Sequence, residues 1–327
     1  MLQAGQSGFG WVEIWPRGCA AHRNMGCTQP LPQRSRYTAS MTHSTAPLLI
    51  NESMLKECHC CYSPAGVLKF EAGWTSEAHS TKDVELEYEC LCNYMSAYVK
   101  SYLFHECQLQ VLWLPGGKKA EIDIFASKDW EQNASTALVI IPGSGKVTLG
   151  QWSRGLCKDI GLKFGTVKSY IDQAYSLGWS VLVMNPNATN ALVRENRSNT
   201  LWTWSNFVSK SPAQRICIVA HSYGGTCTCH IANECIGDFQ RVHKIAFTDS
   251  VHSRDYSHGR GLRPEVKDML RQRAVNWAKS DQPLDQVLSP AGNKDVCECR
   301  SAGHPVHEYT SEFAVEAVFA YLSHPSL

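Results

Sequence analysis

From about residue 88 onward, the chain alternates short runs of β-branched and other apolar residues with longer segments whose apolar side chains recur every three or four positions. A run that is apolar throughout must be buried on both faces, and parallel strands joined by covering helices provide such burial. The rhythm predicts an α/β fold: a mostly parallel sheet flanked by helices, preceded by an N-terminal helix and a hairpin. "YECLCNYMSAYVKSYLF" has the helical spacing, while "QLQVLWL" and "EIDIFAS", separated by "PGGKKA", read as the hairpin. Strands are then expected in "TALVII", "SVLVMNPN", "RICIVAHS", "KIAFTDS" and "DVCECRSAG". Helices are expected in "VKSYIDQAYSLGW", "LWTWSNFVSK", "TCTCHIANECI", "PEVKDMLRQRAVNWAKS" and "SEFAVEAVFAYLSH". In "PEVKDMLRQRAVNWAKS", Val266, Leu270, Ala274 and Trp277 fall near one face of a single long helix. "NATNALVRENRSNT", Asn187 to Thr200, reads as a loop or short linker. Residues 1–80 hold neither a period of 2 nor one of 3.6 and are read as an irregular or poorly ordered N-terminal region.

Charge and cysteine content narrow the function classes. The chain balances 31 Lys+Arg against 30 Asp+Glu, so no whole-chain field draws it to nucleic acid or to an anionic membrane surface. A direct small-RNA-binding module is disfavoured on that ground and would need a local basic groove. The 15 cysteines are an odd number in a chain of 327 residues, which argues for the reduced thiols of nucleus and cytoplasm rather than a disulfide framework. The clusters Cys58, Cys60 and Cys61, Cys90 and Cys92, Cys227 and Cys229, and Cys297 and Cys299 raise the question of zinc. They are read instead as small core and strand-edge residues, and no metal or cofactor is expected. No apolar run reaches the roughly 18 to 20 residues of a spanning helix, so no membrane association is expected. The first 23 residues lack a basic segment followed by an apolar core, so a signal peptide is not expected. The sequons at Asn51, Asn133, Asn187 and Asn196 would matter only in a secreted protein.

Right-handed crossovers bring the loops that follow parallel strands to one edge of the sheet, and candidate chemistry belongs there. A serine hydroxyl is a poor nucleophile at neutral pH, so acyl transfer needs a base, an acid to orient it and donors for the oxyanion. In "RICIVAHSYGG", Ser222 follows a buried strand between the small residues Ala220, where a glycine is usual, and Gly224, in the manner of a nucleophile elbow. Asp249 ends "KIAFTDS", and His307 follows the last strand, so Ser222, Asp249 and His307 keep the nucleophile–acid–base order of α/β-hydrolases. His252 and His304 are the alternatives for the base, and chain order favours His307. Ser222 and Asp249 also read as helix caps, the plainer role for such residues. The oxyanion donors are expected from the backbone N–H of Tyr223 and from the loop Gly143–Ser144–Gly145. Pro142 stands where many hydrolases have a histidine.

Six blocks in order, "GSGKVTLGQW", "VMNPN", "VAHSYGG", "FTDSVH", "NWAKSDQPLD" and "SAGHPVHEYTS", resemble the argonaute-binding-protein-two (Arb-two) domain of the family with sequence similarity 172. The resemblance covers residues 88–324. It implies an α/β-hydrolase-like fold and a serine nucleophile at Ser222. It further implies a nuclear and cytoplasmic regulatory protein that works with argonaute and with chromatin and splicing factors, in small-RNA heterochromatin formation and alternative splicing. The alternative reading is an active serine esterase or thioesterase. The chain departs from the family pattern at Pro142 and in lacking a Lys/Glu-rich insertion between Asn187 and Thr200.

Overall fold

The computed structural model describes residues 43–44, 58–72, 80–114, 122–188, 196–252, 261–290 and 296–325. The expectation of an irregular region over residues 1–80 falls mostly outside them. After β1 (His43–Ser44), the described part of that region is a hairpin of β2 (Cys60–Tyr62) and β3 (Leu68–Phe70). The Tyr62 hydroxyl donates to the Cys157 carbonyl at 3.0 Å, and Tyr62 packs on Tyr98 at 4.5 Å between ring centroids, which ties the hairpin to the main core. Helix α1 (Thr81–Glu106) begins where the Ser80 hydroxyl accepts the Asp83 N–H at 3.2 Å, satisfying one of the donors that a helix start leaves unpaired. Strands β4 (Leu109–Leu114) and β5 (Ile122–Ser127) form the expected antiparallel hairpin. The turn sequence "PGGKKA" lies outside the described residues.

Strand β6 (Thr136–Ile141) leads through the short helices α2 (Arg154–Asp159) and α3 (Leu162–Gly165) to α4 (Lys168–Ser176) and β7 (Ser180–Val183). Helix α5 (Asn196–Thr203) continues into a π-helical turn at Trp204–Val208 and then into β8 (Arg215–His221). Helix α6 (Tyr223–Glu234), β9 (Val242–Thr248), α7 (Pro264–Arg273), β10 (Ala274–Ala278), β11 (Val287–Ser289), β12 (Glu298–Ser301) and α8 (Thr310–Ser323) complete the order. One ten-stranded sheet runs β1-β4-β5-β7-β6-β8-β9-β10-β12-β11. From β7 to β12 all neighbours are parallel, and β5 joins this block antiparallel through β7. A central parallel sheet, helices on both faces and a strand-turn-helix at the end of β8 make this an α/β-hydrolase fold.

The strands read as apolar throughout because each feeds two cores. In β8, Cys217 and Val219 face one core with Leu138, Ile140, Tyr170 and Phe319, whereas Ile216, Ile218 and Ala220 face the other with Val139, Trp204, Ile231 and Leu270. That period-two split is the pleat of the strand, filled on both sides.

Two sequence expectations are corrected. The segment "PEVKDMLRQRAVNWAKS" is not one helix: α7 stops at Arg273, and Ala274–Ala278 is β10, parallel to β9. Ala274 and Trp277 fit the helical spacing by coincidence. In the fold Val275 and Trp277 enter one core and Ala274 the other, and pairing with the open edge of β9 outweighs another helical turn. Arg273 marks the break, its guanidinium donating to the carbonyls of Phe239 at 3.1 Å and Val242 at 2.8 Å. Likewise, Asn187–Thr200 is not loop throughout, since α5 starts at Asn196. Its side of the fold favours a helix because Asn199, Thr200 and Thr203 are buried, with Asn199 Nδ2 and the two threonine hydroxyls donating to nearby carbonyls. Among the described residues no helix is long and apolar enough to cross a membrane, and no group of three or more His, Cys, Asp or Glu is arranged to hold a metal ion.

Entry to β8 depends on Arg241. Its two terminal nitrogens donate to four carbonyls, Ser211 (2.8 Å), Ala213 (2.9 Å), Val208 (3.2 Å) and Ser209 (3.0 Å), closing the turn that follows the π-helix. Arg241→Ala should therefore destabilise the protein by about 2 to 3 kcal/mol, as carbonyls lose charged donors, measured as a lower midpoint in urea with unchanged m-value.

Candidate active site

In-register parallel pairing fixes where the strands end. Ile141 lies beside Ala220, His221 beside Thr248, Thr248 beside Trp277, and Ala278 beside Ser301, so Pro142, Ser222, Asp249 and Lys279 all leave the sheet at one edge. Ser222 makes a sharp turn there, at φ +52° and ψ −122°, a region a non-glycine residue occupies only under constraint, at roughly 1–3 kcal/mol. The constraint is visible in hydrogen bonds. Ser222 N–H donates to the Thr248 carbonyl at 3.1 Å, and the Ser222 carbonyl accepts from Gly225 and Val251, each at 3.2 Å. Gly224 lets the elbow close: a Cβ there would overlap the Ile141 carbonyl oxygen and lie 2.8 Å from that of Pro142.

Asp249 is held by the strand that the periodicity disguised. Its N–H donates to the Trp277 carbonyl at 2.8 Å, and its Oδ1 accepts from the Lys279 N–H at 3.2 Å. Its Oδ2 lies 2.6 Å from His307 Nδ1, on the 3₁₀ turn His307–Tyr309 that leads into α8. Burial by itself would raise the Asp249 pKa, but the bonds from His307 and from the Lys279 N–H outweigh it and hold the carboxyl below its ordinary range. Because a carboxylate only accepts, His307 Nδ1 carries the proton and Nε2 is left as the basic nitrogen. The other candidate bases are placed elsewhere. His304 stacks on Tyr309 and accepts the Val306 N–H, whereas His252 is buried against Phe247 with Nε2 3.5 Å from Cys297 Sγ.

A cavity of about 270 Å³ opens over this edge, with Ser222 and His307 both in its wall beside Gly143, Ser144, Trp152 and Arg154. Gly143 packs against the serine, its missing Cβ position 3.1 Å from Ser222 Cβ. Tyr223 opens α6 directly behind Ser222, where first-turn N–H groups have no acceptor within the helix. Lys146 and Arg154 give the wall two cations, with Glu308 as its acid, and Arg154 is braced 5.0 Å over the Tyr88 ring.

Two further residues brace the site. Asn187 Nδ2 donates to the Gly143 carbonyl at 2.9 Å, while its Oδ1 accepts the Gly145 N–H at 3.1 Å and Asn196 Nδ2 at 2.7 Å. Both amides stand in sequons, yet their Nδ2 atoms, where a glycan would attach, are committed to these bonds. The usable signal was position, since Asn187 comes just after the end of β7 on the same edge. The second is His221, at 3% exposure, whose ring lies 4.6 Å from that of His307. Its Nδ1 donates to the Thr248 carbonyl at 2.9 Å, and burial, then the neighbouring His307, lower its pKa from 6.5 to about 3.

The Arb2 domain model matches residues 79–205 and 192–284. A Dictyostelium discoideum protein named "Cotranscriptional regulator ARB2A homolog" is 32% identical over 256 residues, covering 65% of this chain and 65% of its own length, so the match spans about two thirds of that relative. A Caenorhabditis elegans protein named as a FAM172 family homolog is 33% identical over 275 residues, covering 80% of this chain and 84% of its own. Among solved structures, the alpha-beta hydrolase from Vibrio vulnificus superimposes with a TM-score of 0.41 at 10% identity, covering 75% of this chain and 95% of that one.

Gly224→Ala should lower stability by about 1 to 3 kcal/mol, because the added Cβ meets backbone that cannot swing aside; calorimetric melting measures it. His221 gives a pH test. Folded His221 stays neutral down to about pH 3, whereas the unfolded side chain protonates below 6.5. The unfolded state thus binds the extra proton in that window, and stability falls as pH drops through it, by about 1.4 kcal/mol per unit at most. Urea titrations at pH 6.5 and 5.0 should show a smaller loss in His221→Asn, which keeps a donor toward Thr248 and cannot titrate there.

Proposed function

The chain belongs to the Arb2-domain family, and from that premise we propose that it is a regulatory protein whose domain keeps a working serine acyl-hydrolase site. The observation that carries the chemistry is the 2.6 Å bond from His307 to Asp249 at a cavity that Ser222 also lines. In the proposed cycle, His307 Nε2 takes the Ser222 hydroxyl proton as Oγ attacks the acyl carbonyl carbon of an ester or thioester. N–H groups of the Gly143–Ser144 loop and of Tyr223 receive the oxyanion. Collapse of the tetrahedral species breaks the bond to the alcohol or thiol, which departs with the proton from His307. Water, deprotonated by His307, then attacks the acyl-serine, releases the carboxylic acid and returns the proton to Ser222. Asp249 orients the imidazole and balances the imidazolium. Pro142 is compatible with this reading, because the proposed donors come from later residues. A cavity of about 270 Å³ suits a short acyl group.

The regulatory half rests on the Dictyostelium discoideum relative, which is named a cotranscriptional regulator homolog. On that reading we propose a nuclear protein with argonaute, chromatin and splicing factors as its partners, acting in small-RNA heterochromatin formation and alternative splicing. In the second reading the protein acts by those contacts alone and the pocket is inherited architecture. The two separate in one measurement, intact-mass detection of a fluorophosphonate adduct on purified protein. The acyl-hydrolase reading expects one adduct on the wild type, none on Ser222→Ala, and at least about a 100-fold slower reaction for His307→Ala. A folded wild type that gains no mass would leave the binding role alone.

A further inference from the structure

Resting on the acyl-hydrolase reading, we propose that Asn187 is the positioning residue of the oxyanion loop, holding the Gly143–Ser144 peptide so that the Ser144 N–H faces the reacting carbonyl oxygen. The loop has little else to fix it. It follows Pro142, which has no N–H to donate, and contains Gly143 and Gly145, the latter at φ +122°, so its own conformational preference is weak.

Asn187 supplies the missing definition from both sides. Its Nδ2 donates to the Gly143 carbonyl at 2.9 Å and its Oδ1 accepts the Gly145 N–H at 3.1 Å, so one planar amide brackets the Gly143–Ser144 and Ser144–Gly145 peptides. A trans peptide is planar, with C=O and N–H on opposite sides. Turning the Gly143 carbonyl toward Asn187 therefore turns the Ser144 N–H away from it. Asn187 is not part of the cavity wall, whereas Gly143 and Ser144 are, and Gly143 is packed against Ser222. Asn187 is itself held. Asn196 Nδ2 donates to its Oδ1 at 2.7 Å and to the Pro186 carbonyl at 3.3 Å, and Asn199 Nδ2 donates to the carbonyls of Pro186 at 2.8 Å and Ala188 at 2.9 Å. Helix α5 thus anchors the loop through a chain of amides. A flipped Gly143–Ser144 peptide would present a carbonyl to the developing negative charge, so the clamp acts on the transition state more than on substrate binding.

The test uses the full chain with p-nitrophenyl acetate as substrate and a fluorophosphonate as covalent probe. Asn187→Ala removes both bonds. Asn187→Asp keeps an acceptor for Gly145 and loses the donor to Gly143. Both should lower kcat by about 10- to 100-fold with KM changed less than about twofold. Asn196→Ala, which leaves both Asn187 bonds to the loop in place, should lower kcat by a smaller factor. Independently of turnover, amide exchange at Gly145 should accelerate in Asn187→Ala, since its acceptor is gone. Wild-type kcat in Asn187→Asp, or unchanged Gly145 exchange in Asn187→Ala, would overturn the clamp while the hydrolase reading stands. A wild type with no Ser222-dependent adduct or turnover would overturn both.

Discussion

The in-register parallel pairing of β6, β8, β9, β10 and β12 is the constraint on which the rest of the structure depends. It commits five chain reversals to one edge, and each delivers a different part of the site. The Gly143 loop follows β6, Ser222 follows β8, Asp249 follows β9, the N–H of Lys279 follows β10, and His307 lies beyond β12. None of these residues is near another in sequence, and all of them meet because the strands end level.

Strain and support are distributed accordingly. Ser222 has an unfavourable backbone conformation, and its amide and carbonyl are pinned by β9 and by the turn that follows. Asp249 is also at positive φ, +43°, and is pinned by β10. The backbone therefore leaves ordinary geometry at the two places where side chains must project from strand ends, and hydrogen bonds to the neighbouring strands hold it there. His221 plays the opposite part. Buried and neutral, bonded to Thr248 and lying beside His307, it adds no charge next to the His307 imidazole.

The polar amides of Asn187, Asn196 and Asn199 show a different economy. A glycine-containing loop after a proline cannot define its own peptide orientations, and side chains from the end of β7 and from α5 define them instead. Asn187 and the start of α5, which lack apolar periodicity, are thus held by side-chain hydrogen bonding to backbone.

By itself the sequence determined the architecture. Runs such as "TALVII" and "RICIVA" require burial on both faces, and only a helix-covered parallel sheet provides it. It also offered the elbow, because Ser222 follows such a run between the small residues Ala220 and Gly224, and it offered Asp249 and His307 by chain order. The strand β10 was hidden, since "AVNWA" continues the helical spacing of α7 and only the exposed edge of β9 decides that it pairs. Nor did the sequence contain the Asp249–His307 bond or the selection of His307 over His252 and His304, which depend on the positions of side chains 58 residues apart in the chain. The clamp by Asn187 was likewise invisible, because its partners lie 42 and 44 residues away and no local pattern marks an amide that bonds at such a distance. Local propensity and burial pattern are properties of a segment and can be read from it. Hydrogen bonds between strand ends are properties of the assembled sheet and exist only once it has formed.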